Sequence, residues 1–163
     1  MLTPKLFRGI LFKELDVQVR NSQSKFEKSL LNKIGRAANR LEQEMESELR
    51  VGFALTLSQF RVLDGLADLG EVSQSELAIS LGVTPAVVTR QVDVLSGRGL
   101  VNQRQNPRSK REKILRLTTK GEAAAGDAAK LVREREASWR SVIKAQDEAV
   151  FERVLLELNR VGE

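Results

Sequence analysis

Residues 73–95 read SQSELAISLGVTPAVVTRQVDVL, and their punctuation decides the fold. Ser73 stands three residues before Glu76, the spacing at which a hydroxyl and a carboxylate satisfy two orphan backbone donors at a helix start. The spacing predicts a helix over 74–81. Gly82 then supplies a turn where a side chain would obstruct. Thr84 followed by Pro85 is a second start, because the first helical position needs no backbone N–H. It opens a helix over 85–96. Ala78 is small where two helices must cross closely, and Leu77, Leu81, Val83, Val88, Val92 and Leu95 are expected inside. Two short helices joined by a glycine turn have the grammar of a helix-turn-helix. Gln91 stands where an apolar residue is commoner, either facing outward or hydrogen-bonded at the edge of the core.

Outward from this pair the signals continue. Downstream, 100–104 and 113–117 read as two short strands. The connection between them carries Asn106-Pro107 and then Arg108, Lys110 and Arg111, so a β-hairpin with a basic tip is expected. Upstream, Thr56 with Gln59 repeats the capping spacing and starts a helix over 57–68, and Thr119 with Glu122 starts another over 120–143. Gly70 and the Gly97/Gly99 pair fall where helices should stop. Phe26, Leu30, Ile34, Ala38 or Ala37, Leu41, Met45 and Leu49 recur in steps of three and four, the period of a long amphipathic helix. A last helix is expected from about Asp147, with Val150, Phe151, Val154, Leu155, Leu158 and Val161 on its apolar face. Residues 1–24 form an extension whose apolar spacing fits a short amphipathic helix, an arm on a partner subunit or a frayed tail, with a membrane-surface helix the weaker third reading because Glu14 and Asp16 dilute its positive charge. The expected division is this extension, a helical region made of 25–55 and 121–163, and a lobe over 56–120, all within a single compact domain.

Composition narrows the function. The 163 residues include no cysteine and no histidine. Thiol chemistry, thiolate metal sites and imidazole bases are thereby excluded, and no enzyme or cofactor is expected. No apolar run approaches the roughly 18 residues of a membrane span, and no secretory signal is visible, so a cytoplasmic protein is expected. The net charge is +5. Its distribution is more telling, because residues 98–120 hold eight Lys/Arg against one acid, Glu112. A local basic stripe on a near-neutral body is the footprint expected for a polyanion partner, here double-stranded DNA.

If Val88, Val92 and Leu95 face inward, then Ala86, Thr89, Arg90 and Asp93 lie on the outer face of the second helix, with Thr84 and Pro85 at its tip. A recognition helix reads base edges with its N-terminal residues. Arg90 can pair with guanine or rest on phosphate, while Ala86 and a Thr methyl can pack on thymine methyls. Arg104, Arg108, Lys110 and Arg111 form a basic wing able to enter a flanking minor groove. Ser73, Gln74 and Arg98 are candidate contacts to the DNA backbone.

The motifs Leu57-Ser58-Gln59-Phe60-Arg61-Val62-Leu63, Ser75-Glu76-Leu77-Ala78, Val88-Thr89-Arg90, Gly99-Leu100-Val101 and Leu117-Thr118-Thr119-Lys120-Gly121 together resemble the MarR-type family of bacterial regulators. The resemblance implies a mainly α (α+β) fold, a winged helix-turn-helix with long flanking dimerisation helices and a two-stranded β wing. It further implies a homodimer whose two lobes read a palindrome, with release on binding a small, often aromatic, anion. Phe53, Phe60 and Arg61 lie near enough to the junction of lobe and dimer helices to line such an effector pocket. Trp139, Val142 and Ile143 add apolar bulk, with Trp139 expected at the dimer seam. One departure concerns the wing: Ser109 stands where the family usually has an Asp bracing the Arg that Arg111 matches. The second reading is a winged-helix interaction module that binds another regulator instead of DNA.

Overall fold

The computed structural model describes residues 29–107 and 109–160, and of residues 109–111 the backbone alone. The expected extension 1–24, the helix start at Phe26, Arg108 and Val161 lie outside the described residues. The chain divides into two compact units, Met1–Glu44 and Met45–Glu163.

Helix α1, Leu30–Phe53, crosses from one unit into the other. In the first unit its exposed surface is braced by an ion pair between Arg40 and Glu44 at 3.1 Å. In the second unit Met45 and Leu49 are buried, and the helix runs four residues past the expected end at Leu49. Ala54 stops it by taking a left-handed φ of 52°.

The rest of the second unit is ordered α2 (Leu57–Leu69), β1 (Val72–Ser73), α3 (Gln74–Ser80), α4 (Pro85–Gly97), β2 (Val101–Asn106), β3 (Ser109–Leu117), α5 (Thr119–Arg140) and α6 (Ala145–Arg160). Two capping boxes form where the spacing placed them, at Thr56/Gln59 and Ser73/Glu76. The third shifts by one residue. Thr118, not Thr119, is the cap of α5, accepting from the Gly121 amide at 3.0 Å. Thr118 is held there because its hydroxyl also donates to the Gly99 carbonyl at 2.8 Å. The residue facing the cap is then Gly121, which has no side chain to reciprocate. Glycine is required there: a Cβ would sit 2.0 Å from the Leu100 carbonyl oxygen.

The sheet is antiparallel, ordered β1-β3-β2, with Val72 opposite Leu115 and Gln103 also opposite Leu115 on the other side. The expected hairpin is therefore joined by a third strand. Two residues are too short to show a period, so β1 was invisible in the pattern. Strand β3 also begins earlier than expected, since its polar first half is paired by backbone bonds and by no apolar alternation.

The core of the lobe gathers Leu55, Leu63, Leu66, Leu77, Val88, Val92, Leu95 and Leu115 with Leu49 of α1. Five of the six side chains expected inside the helix pair are buried or pack on this core. Val83 is the exception at 38% exposed. It follows Gly82, whose φ of 63° turns the chain, and only its backbone N–H is anchored, on the Ala78 carbonyl. Trp139, expected at a dimer seam, is half-buried against the core of its own chain. Among the described residues no helix is long and apolar enough to cross a membrane.

Candidate nucleic-acid interface

Helix α4 is fixed from below by Val88, Val92 and Leu95, all fully buried. That anchoring leaves Thr84, Pro85, Ala86 and Arg90 exposed. Thr84 caps by backbone geometry alone, with no side-chain cap bond, so its hydroxyl is left for another acceptor. Thr89 is half-buried, and its hydroxyl folds back to donate to the Pro85 carbonyl at 2.9 Å. Val87 was not singled out by sequence, yet it is 42% exposed and shares a helix face with Arg90 and Val94. The signal for it was present: a valine at a position the inward-facing triad excludes. Gln91 is half-buried beside that triad.

The wing is joined to this helix through Gln103. Its amide donates to Ser96 Oγ at 3.0 Å and to an Asp93 carboxylate oxygen at 3.3 Å, and its carbonyl accepts from Lys113 Nζ at 3.0 Å. One glutamine thus sets the angle between the α4 face and the hairpin. Arg104, expected as a wing cation, pairs with Glu71. Asn106 donates to the Glu112 carboxylate at 2.9 Å near the tip. Arg108 lies outside the described residues, and of Lys110 and Arg111 only the β3 backbone is described.

The three expected backbone contacts are placed differently from one another. Ser73 is 4% exposed, with its hydroxyl accepting from the Glu76 amide at 3.2 Å. It serves the capping box and is not a surface hydroxyl. Gln74 is half-buried, and its Nε2 is buried without a hydrogen-bond partner. Arg98 turns its guanidinium inward, donating to the carbonyls of Ala54 at 2.8 Å and Phe53 at 3.1 Å.

Phe53, Phe60 and Arg61 are not equivalent either. Phe60 is buried in the core, Phe53 packs partly buried against it, and Arg61 is exposed. An open cavity of about 760 Å³ lies elsewhere in the lobe, lined by Leu66, Gly70, Asn102, Arg116, Thr119 and Glu122 among others. Among the described residues no three His, Cys, Asp or Glu side chains gather as metal ligands would.

Two carboxylates are electrostatically distinct. Glu76 is held below the ordinary range because its carboxylate accepts from the Ser73 amide and, secondarily, interacts with the Ser73 side chain. Asp64 on α2 is pushed up, first by burial and then by Asp68, with Arg133 partly opposing.

Sequence and structural likeness agree with this geometry. Residues 55–113 match the sequence model of the MarR family. The HTH-type transcriptional regulator YhbI of Bacillus subtilis is 35% identical over 77 residues, 47% of this chain and 50% of YhbI. The chain thus spans about half the length of that curated relative. The transcriptional repressor CouR bound to a 23-mer DNA duplex superposes with a TM-score of 0.75 at 27% identity, over 85% of this chain and 97% of CouR. A mutant MarR from E. coli complexed with operator DNA gives 0.67 at 27% identity, over 80% and 98% of the two chains.

Proposed function

We propose, from the premise that residues 55–113 form a MarR-family winged helix, that this chain is a homodimeric regulator reading a palindromic operator in double-stranded DNA. The observation that carries the reading is the exposed end of α4. Thr84, Pro85, Ala86 and Arg90 present a hydroxyl, small apolar surface and a fork of donors on a helix whose opposite side is fully buried. That is the chemistry of major-groove readout: Arg on guanine, methyl and methylene groups on thymine. Thr89 offers its methyl group, since its hydroxyl is occupied, and Val87 adds apolar surface beside Arg90. The basic hairpin next to it, with Arg104, Arg108, Lys110 and Arg111, supplies the sequence-independent attraction. Gln74 at the start of α3 is the remaining candidate for a backbone contact, which requires its buried, unpartnered Nε2 to turn outward.

Dimerisation is supported by α6. None of its residues is buried, although Val150, Phe151, Val154, Leu155, Leu156 and Leu158 are each more than a third exposed. A 16-residue amphipathic helix has little stability of its own, and its apolar face needs a partner. The protein acts as a cytoplasmic repressor, and a small aromatic or anionic effector releases it from DNA. The two similar proteins solved on DNA support the partner, and a repressor among them supports the direction of control.

Selection of bound sequences from a random duplex pool tests the reading. A palindromic product with half-sites about ten base pairs apart, bound with a steep salt dependence, is the expected result. Binding that enriches no sequence and ignores salt would replace it with the protein-interaction module.

A further inference from the structure

Arg98 and Lys120 belong to the basic stripe, yet both donate to backbone carbonyls of their own chain. Helix α1 ends with carbonyls that have no intrahelical donor, as every helix does. Arg98 meets one of them, Phe53, at 3.1 Å, and with the other arm of its fork the next carbonyl, Ala54, at 2.8 Å. The positive group also sits at the negative end of the α1 dipole. The gripped segment is itself unusual, because Ala54 holds a left-handed φ of 52° that an alanine rarely adopts.

The other side of Arg98 is equally committed. Its amide donates to the carbonyls of Val94 and Leu95, both at 3.2 Å, so it continues the α4 hydrogen-bond ladder. Its carbonyl accepts from Lys120 Nζ at 3.0 Å, in the first turn of α5. The next two residues are held by the same helix start: Thr118 Oγ1 donates to the Gly99 carbonyl at 2.8 Å, and Gly121 lies against the Leu100 carbonyl. A residue at the end of the recognition helix is therefore bonded to the end of α1 and the beginning of α5.

We propose that Arg98 and Lys120 are positioning residues that lock the recognition helix to α1 and α5 and thereby set the half-site spacing the dimer accepts. They are not phosphate contacts. This rests on the operator reading above. The lever is long: α4 measures about 20 Å, so a tilt of roughly 10° about its clamped end moves its reading tip by about 3.4 Å. That displacement is about one base-pair rise.

The chain has no native cysteine, so Val94→Cys, on the exposed side of α4, accepts a single spin label per protomer. In the DNA-free protein, the label-to-label distance distribution is expected to be narrow, and to broaden in Arg98→Gln. Next, the duplex selected from the random pool is compared with the same duplex carrying one extra base pair between half-sites. The parent should disfavour the insertion by roughly a hundredfold, and Arg98→Gln by about tenfold or less, with an unchanged salt slope. Arg98→Lys keeps the charge but not the planar fork, and is expected to follow Arg98→Gln in both distance and spacing. Lys120→Met should show a smaller change in the same direction. A salt slope lowered by about 0.9 per protomer with spacing discrimination intact, and an Arg98→Lys that behaves as parent, would make Arg98 a phosphate contact and overturn the proposal. Variants that match the parent in distance and spacing overturn it as well. A parent that is dimeric but enriches no duplex removes the operator reading, and the distance measurement then decides the clamp separately.

Discussion

At the level of single residues, the proposed operator reading makes distinct demands on Arg90 of α4 and Arg111 of the hairpin. Arg90 is exposed on the face proposed to read bases, so Arg90→Ala is expected to cost about 1–3 kcal/mol on the selected duplex and to relax preference at one base pair. Arg111 is a wing cation, and Arg111→Ala should instead weaken binding to all duplexes alike and lower the salt slope by about 0.9 per protomer. Titrating both variants against matched and single-mismatch duplexes separates the two patterns. Asp64 makes a different prediction. Its carboxyl is pushed above 3.8 in the fold by burial and by Asp68, so the folded protein holds that proton more tightly than the unfolded chain does. The resulting stability is fully present below the unfolded value and is lost as pH rises through the raised one. At neutral pH the ionised group is thus a net cost, and Asp64→Asn should raise the melting temperature at pH 7, with the gain vanishing near pH 3. The charge on Asp64 could be read from the sequence. Its cost could not, because burial on the α5 side of α2 depends on which helix packs there.

The elements were legible to the extent that their ends carry chemistry. Thr56/Gln59 and Ser73/Glu76 announced α2 and α3 because a capping box needs only four consecutive residues. Ser73→Ala should cost about 1 kcal/mol, measured by denaturant unfolding. Glu76 adds a pH dependence to the same cap. Its carboxyl is held below 4.5, so its contribution is present above that value and lost as pH falls through the lowered one. Glu76→Gln should flatten the acid limb of the stability profile, and a limb of unchanged slope would remove Glu76 from the account. The start of α5 was misplaced by one residue for a physical reason. Thr118 and Thr119 are equivalent as caps locally, and the choice is made by the Gly99 carbonyl, nineteen positions upstream. Gly121 follows from that choice. Gly121→Ala should destabilise the fold by about 1–3 kcal/mol or more, since the new methyl meets a backbone oxygen that no rotamer change can move. Long-range partners explain the other omissions as well. Gln103 and Arg98 look like ordinary wing and stripe residues until the strands and helices that receive their hydrogen bonds are in place.

For the molecule as a whole, charge and apolar surface divide the work. The basic stripe read from the sequence is partly engaged within the chain, since Arg98 and Lys120 donate to backbone carbonyls and Arg104 shares its charge with Glu71. Under the proposed operator reading, net attraction for DNA rests more heavily on the hairpin tip than the raw count suggested. The apolar surplus collects on α6. Arg140, at the end of α5, bonds Glu148 and Glu152 of that helix, and these three ions hold the turn between α5 and α6. Their pairing is exposed and adds little stability. Phe151, Leu155 and Leu158 follow one another at helical spacing on the α6 face, and each, already about half covered, stands to gain about half of the roughly 1.5–3 kcal/mol of full burial. A second copy covering them gains enough to hold a dimer, whereas two glutamates in the same place would be buried without partners. Phe151→Glu combined with Leu155→Glu should thus convert the protein to monomer in sedimentation, while thermal unfolding of the lobe, whose core includes neither residue, changes little. On the selected duplex the monomer should bind each half-site independently, with roughly half the salt slope of the parent, because half as many counterions leave per event. A doubly substituted protein that still sediments as a dimer and keeps the full slope would move the seam away from α6.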